Sequence, residues 1–152
     1  MANTQSMCTS FMGELLTATH NFTTGTGNTF KAALYLASAT LNASTTAYSA
    51  TGEVSGAGYT AGGVTVTNGT SPTATNSSTT AGVAYWTPSA SITYTSVTLA
   101  TAFDTVLIYN SSAANKAVSV HTFGSQTVTA GTFTLTMPSN STTTALLRLA
   151  TT

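Results

Sequence analysis

Residues 131 to 138 read GTFTLTMP, and there Phe133, Leu135 and Met137 alternate with Thr132, Thr134 and Thr136. A period of two puts every second side chain on one face of an extended strand. One face of this segment is therefore apolar and the other hydroxylated. Such a segment needs a second layer over its apolar face, and it does not fit a helix. Comparable runs recur along the chain: TFKAALYL at 29 to 36, AGVAYWT at 81 to 87, SITYTSVTL at 91 to 99, VLIYN at 106 to 110, AVSVHTF at 117 to 123 and TALLRL at 144 to 149. A spacing of roughly 8 to 12 residues between turn signals is that of a sandwich or barrel. The VLIY run is apolar on both faces and fits a central strand covered on both sides. Val118 and Val120 oppose Ser119 and His121 in the same alternating way. The expected fold is all-β: an antiparallel β-sandwich or a jelly-roll-like arrangement, preceded by a short N-terminal helix or arm.

That helix is read from SMCTSFMGELLT at 6 to 17, where Met7, Phe11 and Leu15 recur at i, i+4 and i+8 with Met12 and Leu16 beside them. Gly13 weakens the helix by roughly 1 kcal/mol relative to alanine. The TTGTGN stretch at 23 to 28 makes a glycine-rich connection. The chain thus divides into an N-terminal helix or arm, 1–28, and a β-sandwich domain, 29–152. Residues 38 to 63 are mostly turn chemistry, with a short edge pairing expected at Thr51 to Val54. VTVTNGT at 64 to 70 reads as a short strand ending in an Asn68-Gly69 turn, and SPTATNSSTT at 71 to 80 as an exposed loop.

Charge sets the next constraint. Charged residues make up 4% of the 152 residues, against about 25% in an average domain. Lys31, Lys116 and Arg148 balance Glu14, Glu53 and Asp104. No basic stripe exists to release counterions from a nucleic acid. No apolar run approaches the roughly 18 residues of a membrane span, and the first 28 residues hold no Lys or Arg for a signal-peptide n-region. The expectation is a soluble protein made in the cytoplasm, with no nucleic-acid or membrane partner. Thr and Ser together exceed a third of the chain. Threonine suits strand surfaces because its branched Cβ favours extended backbone and its hydroxyl stays solvated. Lysines that normally protect exposed strand edges are missing, so association and shielding of much of the surface within an assembly are expected. Lys116, in the loop between the 106–110 and 117–123 strands, is either a solvated tip or a contact to a neighbour.

The chemistry-bearing residues are few. His20 and His121 are the two imidazoles, the three carboxylates lie in separate segments, and no G-x-S-x-G elbow, H-E-x-x-H helix or P-loop occurs. Cys8 has no partner thiol and sits among Met7, Phe11 and Met12, the setting of a buried or interface thiol. TGTGNT at 24 to 29 and GAGYTAGG at 56 to 63 read as turn glycines, since neither lies between a parallel strand and a helix. Six Asn residues open N-x-[ST] triplets, a number that abundant Ser and Thr produce by chance. Trp86 with Tyr85, or Tyr59 with Tyr94, has the makings of a sugar-stacking platform, although a lone strand Trp belongs more often to the core. No catalytic, cofactor-binding or metal-ligating residue is assigned, and the chain is not expected to be an enzyme.

THNFTTGTGNTFKAALYLASATLNASTTAYS, EVSGAGYTAGGVTVT, LIYNSSAANKAVSVHTFGS and TFTLTMP follow one another in this order. As an ordered set, over roughly residues 14 to 149, they resemble small tailed-bacteriophage structural proteins, with departures at ATAFDTV and at HTFGSQ. The resemblance implies a β-rich, oligomeric virion component without catalytic residues. The expected function is that of a capsid decoration, or cement, protein on the outer surface of the shell, assembled in the host cytoplasm. Its expected partners are the major capsid protein and copies of itself, in a homo-oligomer such as a trimer. The alternative is a tail, neck or fibre protein that binds a host receptor or glycan. Met7, Phe11, Met12, Leu15 and Leu16 are the expected partner-contact residues; the competing reading packs this helix on its own sandwich.

Overall fold

A computed structural model describes residues 2–76 and 81–151. Nine elements follow in order: β1 (Ser6–Met7), α1 (Thr9–Leu16), β2 (Phe30–Leu36), β3 (Val64–Thr65), β4 (Thr73–Ala74), β5 (Val83–Trp86), β6 (Ile92–Asn110), β7 (Lys116–Leu135) and β8 (Leu147–Ala150). They form a five-stranded sheet, β1-β7-β6-β2-β3, and a three-stranded sheet, β4-β5-β8. Every pairing is antiparallel. The all-β sandwich-like architecture with one short helix is the one the alternation implied.

The segmentation differs from the expectation. The runs 91–99 and 106–110 belong to one strand, β6, and the runs 117–123 and 131–138 to one strand, β7, which stops at Leu135. The polar stretches between them are corners of a bent ribbon. Ten residues of straight strand would separate Phe123 from Phe133 by about 33 Å, yet their ring centroids lie 5.3 Å apart. Both rings also meet Phe103, at 6.0 Å and 5.0 Å. The hairpin therefore folds over itself near Ala100–Ala102 and Gly124–Thr127, all exposed. The register shifts there between Leu99↔Val128 and Phe103↔Gln126, as bulges do where a sheet turns a corner. One hairpin thereby supplies two facing layers. Ile92 and Leu135 of one layer and Val106, Ile108 and His121 of the other line a cavity of about 110 Å³ between them. The Tyr94 hydroxyl crosses to the Ala32 carbonyl, 2.8 Å away.

The central strands behave as their composition requires. Thr105 to Asn110 are buried on both faces, as are Ala117 to Val120. Ser119 and Thr105 are thus interior hydroxyls, contrary to the outward placement that alternation suggests for Ser119. Beyond the corner the period-two pattern holds: Phe133 and Leu135 are half-buried and Thr132 and Thr134 exposed.

Other elements are shorter than the sequence suggests. Ser6 and Met7 leave the expected helix for β1, and Thr73–Ala74 pair with β5 inside the stretch expected to be loop, of which 77–80 lie outside the described residues. The expected 64–70 strand stops at Thr65. Asn68 does not turn a hairpin; its amide donates to the Phe22 carbonyl and its oxygen accepts from the Trp86 indole N–H, 3.0 Å away. That seats Trp86, 2% exposed, in the core against Phe22 and Phe30.

The 48–63 segment is a strap held by one carboxylate. Glu53 accepts from the Tyr48 hydroxyl at 2.6 Å, the Tyr59 hydroxyl at 2.7 Å and the Gly62 N–H at 2.8 Å. Tyr59 also accepts from the Leu34 N–H at 3.0 Å, and the Leu34 carbonyl accepts from the Val54 N–H. Beyond the two-residue β3, the edge of β2 is therefore closed by the strap, which pairs with it through one antiparallel bridge, Tyr35↔Glu53, inside the expected Thr51–Val54 edge pairing. The glycines allow this approach. Gly63 has φ +69°, and a Cβ there would run into the Ala32 carbonyl; Gly58, φ +76°, lies against the Ser96 carbonyl in the same way. Burial pushes the Tyr48 hydroxyl up to about 12, aided by its bond to Glu53, and raises Tyr59 and Tyr94 further still.

Candidate interaction surface

The N-terminal arm is tied into the fold from both sides. Asn3 donates to Asp104 at 2.7 Å and accepts from the Leu41 N–H at 3.0 Å. The Cys8 N–H donates to Val118 and the Thr9 N–H to Ala43. Cys8 is fully buried, and desolvation, followed by the nearby Glu14 charge, pushes its thiol up to about 11, so the thiolate needed for reactivity is suppressed.

Helix α1 closes in a Schellman turn: Thr19 N–H to Glu14 carbonyl and Ala18 N–H to Leu15 carbonyl, with Ala18 at φ +55°. The turn sends the chain back along the helix, so His20 meets Glu14. His20 Nε2 lies 2.8 Å from Glu14 Oε2, and Lys116 Nζ lies 2.6 Å from Glu14 Oε1. The Asn110 amide donates to His20 Nδ1 at 3.1 Å and to Asn28 at 2.9 Å, which leaves Nε2 of the neutral ring as the donor to Glu14. Partial burial works to raise the Glu14 pKa, but hydrogen bonds from Lys116 and His20 and the Lys116 charge outweigh it and hold the pKa below its ordinary value. Lys116 is thus not a free tip; it clasps the helix to the β6–β7 turn.

The five expected contact residues divide by face. Phe11, 2% exposed, packs edge-on to His20 and Phe22, at 4.9 Å and 6.0 Å, and Phe22 stacks on Phe30 at 4.2 Å. Met7 is half-buried in β1, and Leu15 is half-buried as well. These three pack against the chain's own core. Met12 and Leu16 point the other way, 46% and 90% exposed. Leu15 lines an apolar groove of about 110 Å³ shared with Phe22, Pro72, Tyr85 and Leu149, and Leu149 is 42% exposed. Met12 and Leu16 make an exposed apolar pair on the outer face of the helix, while the groove and Leu149 lie on its Leu15 side. Sequence periodicity alone could not separate the two faces, because apolar residues occupy both.

The three carboxylates are all bonded within the fold. Asp104 bonds to Asn3 and Thr105, Glu14 to His20 and Lys116, and Glu53 to the strap. None of these carboxylates reaches His121, whose Nε2 meets Ser119 Oγ at 2.9 Å. Burial lowers the His121 pKa to about 4. Ser119, 1% exposed, is inaccessible to a substrate. Both ring nitrogens of His20 are occupied, so neither histidine has the geometry of a nucleophile–base–acid triad. Among the described residues no group of three His, Cys, Asp or Glu is placed to hold a metal, and no helix is long and apolar enough to cross a membrane. Trp86 uses its N–H on Asn68 and Thr70, and Tyr59 and Tyr94 use their hydroxyls internally; these rings do not form an exposed sugar platform. Comparison with protein-family models, with curated proteins and with solved structures finds no match to this chain.

Proposed function

We propose that this chain is a virion structural protein of the capsid-decoration type, binding the outer surface of a capsid shell and stabilising it by contact. The observation that carries the reading is Leu16. A leucine held 90% exposed on a helix pinned by Phe11 and by the Glu14 clasp, with Met12 exposed one turn before it, is suited to be covered by another protein. The charge-poor hydroxylated surface supports the same reading, since hydroxyls bridge subunits directly or through water without the desolvation cost of buried ions. Many weak identical contacts then add across a symmetric shell. The major capsid protein is the proposed partner of the Met12–Leu16 surface, and the capsid exterior the proposed location.

The test is the copy number of the protein in purified particles, by quantitative mass spectrometry against the major capsid protein. A ratio within a few-fold of the shell protein is expected. A far lower ratio moves the protein to the tail or neck, and absence from particles refutes the virion reading. Leu16→Asp, which leaves the fold intact, is expected to abolish rebinding to shells stripped of the protein.

A further inference from the structure

The outer edge of β7 is closed over its first residues and open afterwards. Thr46 and Tyr48 bond to Ala117 and Asn115, the Val118 carbonyl accepts from Cys8, and Ser119 and Val120 pair with β1. From His121 to Leu135, among the described residues, β7 pairs with β6 on its other side and with no strand on this one. Alternate residues of a strand direct both N–H and C=O to the same edge, so this edge presents a row of unpaired donors and acceptors.

Proteins guard such an edge with charge, proline, a bulge or a cover. Between Lys116 and Arg148 there is no Asp, Glu, Lys or Arg, and the first proline is Pro138. The register shifts on both sides of Gly131: between Val128 and Gly131 the extra residue lies on β7, where Ala130 has φ +46°, and between Gly131 and Phe133 it lies on β6, where Ser96 has φ +53°. From Gly131 onward β7 itself carries no extra residue: Gly131↔Val97, Phe133↔Tyr94, Thr134↔Thr93 and Leu135↔Ile92.

We propose that Gly131–Leu135 is the seat of a second copy of this chain, which adds the same five residues antiparallel across a two-fold axis at Phe133. Antiparallel self-pairing about that centre sets Phe133 opposite Phe133, Thr132 opposite Thr134 and Gly131 opposite Leu135. Aromatic pairs and threonine pairs are among the favourable cross-strand combinations. Opposed residues share a face, so the exposed threonines of both copies lie together. The half-buried Phe133, packed on Tyr94, Phe103 and Phe123, continues the apolar layer into the partner. The contact is isologous, with no like charges opposed. A foreign strand has no such built-in match. This edge is a different surface from the Met12–Leu16 side of α1, and the inference stands without the capsid reading.

Sedimentation equilibrium from about 10 μM to about 1 mM covers the affinities of a small contact. The wild-type chain is expected to show a monomer–dimer equilibrium, with amides of 131–135 exchanging more slowly with deuterium as concentration rises. Thr132→Lys/Thr134→Lys, at two exposed positions that face each other across the junction, is expected to weaken the dimer about tenfold or more while keeping the thermal midpoint. Leu16→Asp is expected to leave it unchanged. A chain that stays monomeric at the highest concentration, a trimer, a double-lysine variant that dimerises like the wild type, or loss of the dimer in Leu16→Asp overturns the proposal. If the double variant does not fold, concentration-dependent protection of 131–135 in the wild type decides the matter, and its absence refutes it.

Discussion

Tyr59→Phe removes one oxygen and two hydrogen bonds. The Tyr59 hydroxyl donates to Glu53 at 2.7 Å and accepts from the Leu34 N–H at 3.0 Å. A hydrogen bond to a charged acceptor contributes about 1.5 to 3 kcal/mol, and a buried N–H left unsatisfied costs about 1 to 3 kcal/mol. The ring itself is retained, along with its stacking on Tyr94 at 5.9 Å, so no large cavity term adds. The sum is about 2.5 to 6 kcal/mol, which for a chain of this size lowers the midpoint by roughly 5 to 24 °C. Urea unfolding followed by the fluorescence of Trp86, the single tryptophan, measures it directly. Glu53→Ala and the double variant complete a cycle in which the expected coupling is about 1 to 3 kcal/mol. A loss below about 1 kcal/mol, or additive single variants, would refute the claim that the strap closes the β2 edge through this oxygen.

Three further outcomes are expected. His121 titrates at about 4 in the fold against about 6.5 unfolded, so its neutral form is the one the fold accommodates. Its contribution is complete above about 6.5 and is lost as the pH falls through about 4, some 2 to 4 kcal/mol, and pH-dependent urea midpoints of wild type and His121→Gln should differ by that amount over this window. Gly63→Ala forces a Cβ into the Ala32 carbonyl at φ +69° and should cost more than about 3 kcal/mol by chemical denaturation. Ala18→Gly relieves a left-handed residue in the Schellman turn and should raise stability by about 1 kcal/mol, read as a higher thermal midpoint.

The parts of this fold legible in the sequence are those encoded by local period. Phe133 and Leu135 against their threonines, the doubly buried 106–110 run and the core position of Trp86 all follow from neighbours in the chain. The corner at Gly124–Thr127 has the composition of a loop, and nothing local distinguishes a loop from a strand that bends without breaking. The devices that close the structure are also non-local. Lys116 meets Glu14 across 102 positions, and Tyr59 meets Leu34 across 25. Their residue types are visible in advance but their partners are not. For the candidate surface, the apolar helix was legible, while the split between anchored Phe11 and exposed Leu16 depends on where β7 and Phe22 lie.

The bent β6–β7 ribbon has a kinetic consequence. Its pairs nest around one five-residue turn, from Asn110↔Lys116 out to Ile92↔Leu135, so the ribbon can zip from the turn, each new pair closing only a few more residues of loop. Contacts of this local kind form early and fast. The Ser6↔Val120 pairing instead spans most of the chain and must wait for a loop of more than a hundred residues to close. Folding should therefore reach a state in which the ribbon is built and the seam beside Val118 is still bare. Arm docking would be the final step, and the slow appearance of Cys8 protection against a thiol reagent would be its clock.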